Sequence, residues 1–215
     1  MDYKISKTYE VEHTGKDGTE LSFKSISGKQ QSIIHLATHS AYIARSEVSE
    51  QRANNNMKFI RQEYNKLPIY EDKALSRSFL VLSGGNRLSQ RKEVTDDSDG
   101  ILTAKEIAAL DLHNTDLVVL SSCESGLGEL EGDDATIGLQ RGFKKAGVNT
   151  ILMSLHQVDD EATKILMVEF YRNLMSGKSK LQSLKDAQKY LRQVEDGKYD
   201  DPQYWASFIM LDGIN

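Results

Sequence analysis

The chain has 215 residues, of which 39% are hydrophobic and 27% are charged, and it carries a net charge of −5. This balance is typical of a globular domain with its own core, and it argues against nucleic acid as the main partner. The single cysteine excludes an intramolecular disulfide and a multi-cysteine metal site.

The first half of the chain predicts a short helix, two strands and a long connection. Thr19 is a candidate N-cap for a helix over residues 20–27, and an apolar strand over residues 32–37 follows it. Residues 41–78 form a long connection with one amphipathic helix inside it. We interpret it as a surface insertion, although long loops are often functional. Residues 79–83 predict the next strand, which two glycines close.

The second half of the chain predicts a regular alternation of helices and strands. Thr103 and Glu106 form a capping box at the start of a short helix. Apolar strands are predicted at residues 117–120, 150–154 and 205–211, with helices between them wherever apolar residues recur at helical spacing. Strands that alternate with helices indicate an α/β fold, in which a parallel sheet is covered by helices on both faces.

Two strands of this predicted sheet end in residues that carry chemistry. The strand at 117–120 is followed by two serines and then by Cys123, and the strand at 32–37 is followed by His39. Parallel strands end at the same edge of a sheet, so the two side chains could meet there. A thiol near a base becomes a nucleophilic thiolate at neutral pH. The alternative for Cys123 is a small buried side chain with no chemistry.

Five motifs carry a resemblance to a known family. They are HLATH at 35–39, LSSCESGLG at 120–128, GLQRGF at 138–143, SLHQVDDEAT at 154–163 and YWASF at 204–208. These motifs resemble, in the same order, those of CHAT-domain peptidases, which belong with separase to the caspase-like cysteine peptidases. The resemblance implies a caspase-like three-layer sandwich with a mostly parallel sheet and helices on both faces.

The resemblance also implies roles for four groups. Cys123 is the nucleophile and His39 is the general acid and base. The oxyanion is bound by the backbone N–H groups of Cys123 and Ser40. Family members usually have glycine where this chain has Ser40. A backbone N–H survives that change, but serine is strained if the position requires a positive φ.

Other polar residues near the predicted strand ends can have either a structural role or a role in the site. Asp159 and Asp160 precede a helix, so either can be an N-cap, or one can read a basic residue before the scissile bond, as an acidic residue does in separase. The alternative to a basic residue before the scissile bond is leucine or methionine. His156, where the family more often has tryptophan, either lines the cleft or is structural. His35 is interpreted as a core histidine bonded within the sheet. A metal site with His39 is not expected, because four residues of strand separate the two imidazoles by too much for one ion.

We therefore expect a cysteine endopeptidase for a protein substrate, in a regulatory or defence pathway, with no metal and no cofactor. The alternatives are a catalytically silent binding or scaffold module and a different α/β hydrolase that uses the same pair. Residues 1–215 are expected to form a single domain without the usual N-terminal part of the family, which is often helical repeats, so a helical-repeat domain or subunit is an expected partner. The sequence has no signal peptide and no apolar run long enough to cross a bilayer, so we expect a cytoplasmic protein and no membrane partner.

Overall fold

The computed structural model describes residues 13–42, 73–85, 99–121, 134–155 and 158–212. Within these ranges the chain alternates between short strands and helices that lengthen toward the C terminus. In chain order the elements are α1 (Glu20–Lys24), β1 (Ile33–Leu36), β2 (His39–Tyr42), α2 (Lys73–Arg77), β3 (Ser78–Val81), β4 (Ile101–Thr103), α3 (Ala104–Ala108), β5 (Leu117–Leu120), α4 (Asp134–Lys145), β6 (Thr150–Ser154), α5 (Asp160–Met175), α6 (Lys180–Gln193) and β7 (Phe208–Leu211). Most of the expected insertion at 41–78 lies outside the described residues.

The larger sheet has the strand order β1-β5-β6-β7. Strands β1, β5 and β6 run parallel to one another, and β7 runs antiparallel to β6. The predicted mostly parallel sheet is therefore confirmed. The last strand begins at Phe208 rather than at Trp205, because Pro202–Tyr204 forms a 3₁₀ turn and Trp205 ends it.

Helices cover both faces of the larger sheet, and alternate residues of β5 show why. Val118 and Leu120 belong to a core that also contains residues of α1, α3 and α4. Leu117 and Val119 belong to a second core that contains residues of α5 and α6. Since neighbouring side chains of a strand point to opposite faces, a strand that is apolar at every position requires a helical layer on each side. This arrangement is the three-layer sandwich that the resemblance implied.

A second sheet, which the sequence did not predict, has the order β2-β3-β4 and is antiparallel throughout. The strand expected at 79–83 belongs to this sheet as β3. Strand β4 is only three residues long and runs directly into the cap of α3, so its sequence resembles a helix start more than a strand. The chain leaves β1 at Leu36 and enters β2 at His39, so one short junction connects the two sheets.

Side-chain caps begin several of the helices, as the sequence indicated. Thr19 forms a reciprocal capping box with Ser22, and Thr103 forms one with Glu106. Ser179 accepts a hydrogen bond from the N–H of Gln182 at the start of α6. Caps of this kind contribute about 1 kcal/mol each. No described helix has the length and apolar character that crossing a membrane requires.

Gly142, within the third motif at 138–143, lies where α4 contacts α3. A Cβ at this position would lie 2.6 Å from the carbonyl oxygen of Ala104 and 3.1 Å from its Cβ. Real Cβ atoms do not approach a backbone oxygen so closely, so a larger residue would force the helices apart. The glycine therefore sets the helix spacing on this face of the sheet.

An ionic group of Glu20, Lys24 and Glu106, of which only Glu20 is buried, links α1 to α3. The ammonium of Lys24 lies 2.5 Å from a carboxylate oxygen of Glu20 and 2.8 Å from one of Glu106. Glu20 is only 1% exposed, and burial raises the pKa of its carboxyl group to about 7. A carboxyl group with a pKa above its ordinary value of 4.5 binds a proton more tightly in the folded protein than in the unfolded chain.

This buried carboxyl group predicts a pH dependence of stability. The contribution of Glu20 is fully present below about pH 4.5 and is lost as the pH rises toward about 7, because ionisation then occurs in a buried site. Glu20→Gln should remove this loss, so its free energy of unfolding should change less between these pH values in urea titrations. Glu161→Gln, which changes an exposed carboxylate at the start of α5, is the matched control. Identical pH profiles for the parent and Glu20→Gln would contradict the prediction.

Candidate active site

The ends of β1 and β5 lie side by side at the carboxyl edge of the larger sheet. Leu36 pairs with Leu120, and the N–H of Ser121 donates to the carbonyl oxygen of Leu36 at 3.2 Å. His39 follows Leu36 by three residues, and in the sequence Cys123 follows Leu120 by three residues. Cys123 itself lies outside the described residues. His39 and Cys123 therefore each lie three residues along the chain beyond the paired residues Leu36 and Leu120.

His39 is the first residue of β2, where it pairs with Val81 of β3. Just before it, the hydroxyl of Thr38 donates to the carbonyl oxygen of Val81. The side chain of His39 is exposed. The sequence placed His39 at the end of one strand, and the structure places it at the start of another, in a different sheet. Its backbone is fixed by strand pairing while its imidazole remains accessible.

Ser40 pairs with Leu80, and the direction of its backbone groups follows from the ladder. The N–H of Leu82 donates to the carbonyl oxygen of Gly100 at 2.7 Å, so the backbone groups of Leu80 and Leu82 face β4. In an antiparallel ladder these directions alternate, and Val81 therefore faces β2 and bonds with His39. The N–H of Ser40 then points away from β3. No described strand pairs with that side of β2.

The strain that serine would suffer at a positive φ does not arise at Ser40. Among the described residues, positive φ angles outside glycine occur at Glu195 and Asp196, in a turn after α6. Ser40 lies in the extended backbone of β2, which any residue can adopt. The departure from the family's usual glycine therefore leaves the N–H in place without a conformational cost.

A row of polar side chains lies beside these strand ends. Nε2 of His35 lies 2.8 Å from Oγ of Ser121, and Nδ1 of His35 lies 3.1 Å from the hydroxyl of Tyr171 on α5. Among the described strands β1 is the outermost of its sheet, and the side chain of His35 is exposed, while its partial burial lowers the pKa of His35. Burial raises the pKa of the Tyr171 hydroxyl. The expectation of a core histidine is wrong, because the side chain is exposed, although His35 does bond to Ser121 just beyond the end of the neighbouring strand.

Sequence analysis did not identify Ser121 and Tyr171 as partners of His35. The pairing of β1 with β5 places His35 opposite Val119, so His35 and Ser121 project on the same face of neighbouring strands. The proximity of His35 and Ser121 can be inferred only when the register of β1 with β5 is known. Tyr171 comes from a helix far along the chain, and no local pattern connects it to β1.

Of the two aspartates before α5, Asp159 is the N-cap. Its carboxylate accepts a hydrogen bond from the N–H of Ala162 at 2.9 Å. Asp160 is exposed in the first turn of the helix. His156 lies outside the described residues. The capping interpretation is therefore confirmed for Asp159, whereas a role in substrate recognition stays a prediction for both aspartates and for His156.

Comparison with known proteins agrees with this architecture. The sequence model of the CHAT domain matches residues 6–213. A stretch of 111 residues is 32% identical to tetratricopeptide repeat protein 28 of Mus musculus and 31% identical to the protein of that name in Homo sapiens. It covers 52% of this chain but 4% of each relative, so the chain spans a small part of the curated relatives that it matches. The match over nearly all of the chain shows that it belongs to the CHAT domain family, a caspase-like family related to peptidases.

Proposed function

We propose that the chain is a cysteine endopeptidase that cleaves a protein substrate with Cys123 and His39. The observation that carries the proposal is the matched position of the two residues, each three residues beyond the paired residues Leu36 and Leu120. Adjacent strands lie about 4.8 Å apart, which is compatible with a thiol and an imidazole that share a proton. The membership of the chain in a caspase-like family supports the same chemistry.

The reaction follows from ordinary thiol chemistry. His39 accepts the proton of the Cys123 thiol, and the thiolate attacks the carbonyl carbon of the scissile peptide bond. The oxyanion that forms is stabilised by the N–H groups of Ser40 and Cys123, and His39 then returns its proton to the leaving amine. Water hydrolyses the thioester and restores the enzyme. The outward direction of the Ser40 N–H supports this assignment because the β2–β3 ladder does not consume it.

Ser40 provides a specific prediction about the oxyanion site. Ser40→Pro removes the N–H, and we expect kcat to fall about 10²-fold or more, the effect of one lost donor. The ladder should tolerate proline because the missing N–H faces away from β3, and edge strands accept proline on that side. Ser40→Gly keeps the donor and should leave kcat unchanged or slightly higher. Full activity of the proline variant, measured with a cleaved peptide, would remove Ser40 from the site.

The proposal is tested by incubating the protein with a peptide library and identifying the products by mass spectrometry. Cys123→Ala is the blank. Products that appear with the parent and are absent with the blank support the endopeptidase, whereas equal product profiles contradict it. Labelling with iodoacetamide gives a second readout, because a thiolate reacts much faster than a thiol. Slow labelling that is unchanged in His39→Ala would show that the two residues are not coupled.

A helical-repeat partner is the second part of the proposal. The curated relatives are named tetratricopeptide repeat proteins. Such a domain or subunit could regulate access to the site in a regulatory or defence pathway. The same relatives also fit the alternative function, a catalytically silent binding module. The peptide library decides between the two, since the silent module yields no product that depends on Cys123.

For substrate preference we propose arginine immediately before the scissile bond, read by Asp160. Asp159 already accepts the bond from Ala162, whereas Asp160 presents an exposed carboxylate in the next position. Asp160→Asn should lower kcat/KM for arginine peptides about tenfold, as expected for one lost charge-assisted bond, and should spare leucine peptides.

Asp159→Asn is the matched control for Asp160→Asn, because asparagine also caps helices. It should leave both substrate classes unchanged if Asp159 serves only as a cap. A product profile that is dominated by leucine or methionine and insensitive to both substitutions would contradict the basic preference.

A further inference from the structure

Three polar side chains form a continuous row across the face of the larger sheet that α5 covers. The hydroxyl of Tyr171 lies 3.1 Å from Nδ1 of His35, and Nε2 of His35 lies 2.8 Å from Oγ of Ser121. The rings of His35 and Tyr171 also pack together, with centroids 5.6 Å apart. The backbone pairing of β1 with β5 runs through Leu36 and Leu120 without help from these groups. The row therefore adds a side-chain connection where the two strands end.

Two proton arrangements fit the row, because either ring nitrogen of a neutral imidazole can carry the hydrogen. Enclosure lowers the pKa of His35 and burial raises the pKa of the Tyr171 hydroxyl, so at neutral pH the imidazole carries one proton and the phenol keeps its own. We assign the arrangement in which Tyr171 donates to Nδ1, because a phenol is more acidic than an aliphatic hydroxyl and is the better donor. The N–H at Nε2 then donates to Oγ of Ser121. In this arrangement Ser121 accepts the hydrogen bond from His35.

We propose that His35 is a positioning residue for the candidate active site, which fixes Ser121, and with it the chain that leads to Cys123, through a hydrogen bond oriented by Tyr171. The inference rests on the proposed function, because it assigns His35 to the pair formed by Cys123 and His39. His35 precedes His39 by four residues, and Ser121 precedes Cys123 by two. One side-chain bond therefore joins the segment that leads to the base with the segment that leads to the nucleophile.

The expected effect follows from the sensitivity of catalysis to position. A displacement of about 1 Å in a catalytic group can cost about 10²-fold in rate. His35 touches no reacting atom, and loss of its bond should allow smaller shifts, so a loss of about tenfold is expected. The loss should appear in kcat and in the reactivity of Cys123, while KM for a cleaved peptide should stay close to the parent value.

The test measures the alkylation rate of Cys123 by iodoacetamide from about pH 5 to about pH 9, where a perturbed thiol titrates. His35→Ala should lower the rate near pH 7 about tenfold and shift the midpoint of the pH profile. His35→Gln should restore a rate close to that of the parent, because its amide N–H can replace the donor at Nε2. His113→Ala is the control, since His113 is exposed and lies before the opposite end of β5. Thermal midpoints of all variants show whether each one is folded.

Further variants test whether the row acts as a unit. Ser121→Ala should match the loss in His35→Ala, and the double variant should lose no more, because both remove the same bond. Tyr171→Phe keeps the ring and removes only the hydroxyl, so its smaller loss should reflect orientation of His35 alone.

Three results would overturn the inference. If Cys123 is alkylated at the parent rate in His35→Ala and more slowly in His39→Ala, the role of His35 is overturned and the proposed function stands. Unchanged labelling in every variant, including His39→Ala, overturns both. A folded His35→Gln that remains as slow as His35→Ala shows that the donor at Nε2 is not the group that matters.

Discussion

His39→Ala should lower kcat for a cleaved peptide about 10²–10⁴-fold, the range that a general acid and base contributes. The free energy of unfolding should hardly change, because the imidazole of His39 is exposed and its backbone pairing with Val81 does not depend on the side chain. Steady-state kinetics on a peptide from the library, together with urea titration, measure both quantities. The combination of a large kinetic loss with a small stability change identifies a catalytic group rather than a structural one.

Two additions make this result specific. His113→Ala removes another exposed histidine and should leave kcat unchanged. Added imidazole should recover part of the activity of His39→Ala, since a small base can occupy the exposed position that the side chain vacates. A His39→Ala variant with the kcat of the parent would contradict the dyad and would favour the binding module.

The largest expected effect on stability comes from two buried phenylalanines, one in each core. Phe143→Ala and Phe170→Ala should each lower the free energy of unfolding by about 3–5 kcal/mol, through lost burial and the cavity that remains. Both side chains are fully buried, and Phe143 also packs edge to face against Phe23 with ring centroids 6.4 Å apart. The measurement is chemical denaturation followed by two probes.

The paired substitutions also test whether the two cores unfold together. Both share β5, so each variant should still unfold in a single transition. Leu181→Ala, at a half-exposed leucine of α6, should change stability by less than about 0.5 kcal/mol and serves as the control. Separate transitions for the two probes, or a loss below about 1 kcal/mol at either phenylalanine, would contradict the layered core.

Sequence reasoning was most successful where the signal was local. The strand at 150–154 has the predicted bounds, and the caps at Thr19 and Thr103 form the expected bonds. Capping depends on residues three apart, and a short run with three apolar residues at its centre is typical of a buried strand. The mostly parallel sheet could be predicted because helices and strands alternate along the chain, and this order can be read from the sequence without any knowledge of contacts.

Contacts between distant segments were beyond the reach of the sequence. The antiparallel sheet pairs His39 with Val81 and Phe79 with Thr103, and the bounds of β4 cannot be recognised without its partner. The partners of His35 were missed for the same reason, because they depend on the register of β1 with β5. Candidate residues such as Cys123 could be named from motifs, whereas the contacts of His35 with Ser121 and Tyr171 could not.

The short junction between β1 and β2 limits how the length of this chain can vary. An inserted residue between Leu36 and His39 has two outcomes. If β2 keeps its register, His39 stays opposite Val81 and the added residue lengthens the junction by up to about 3.3 Å, the rise of one strand residue. If β2 slips by one residue instead, the N–H of Ser40 turns toward β3 and is consumed by the ladder. Only the first outcome keeps His39 and the N–H of Ser40 where the proposed site requires them, so an added residue at this junction is expected only as a bulge before β2.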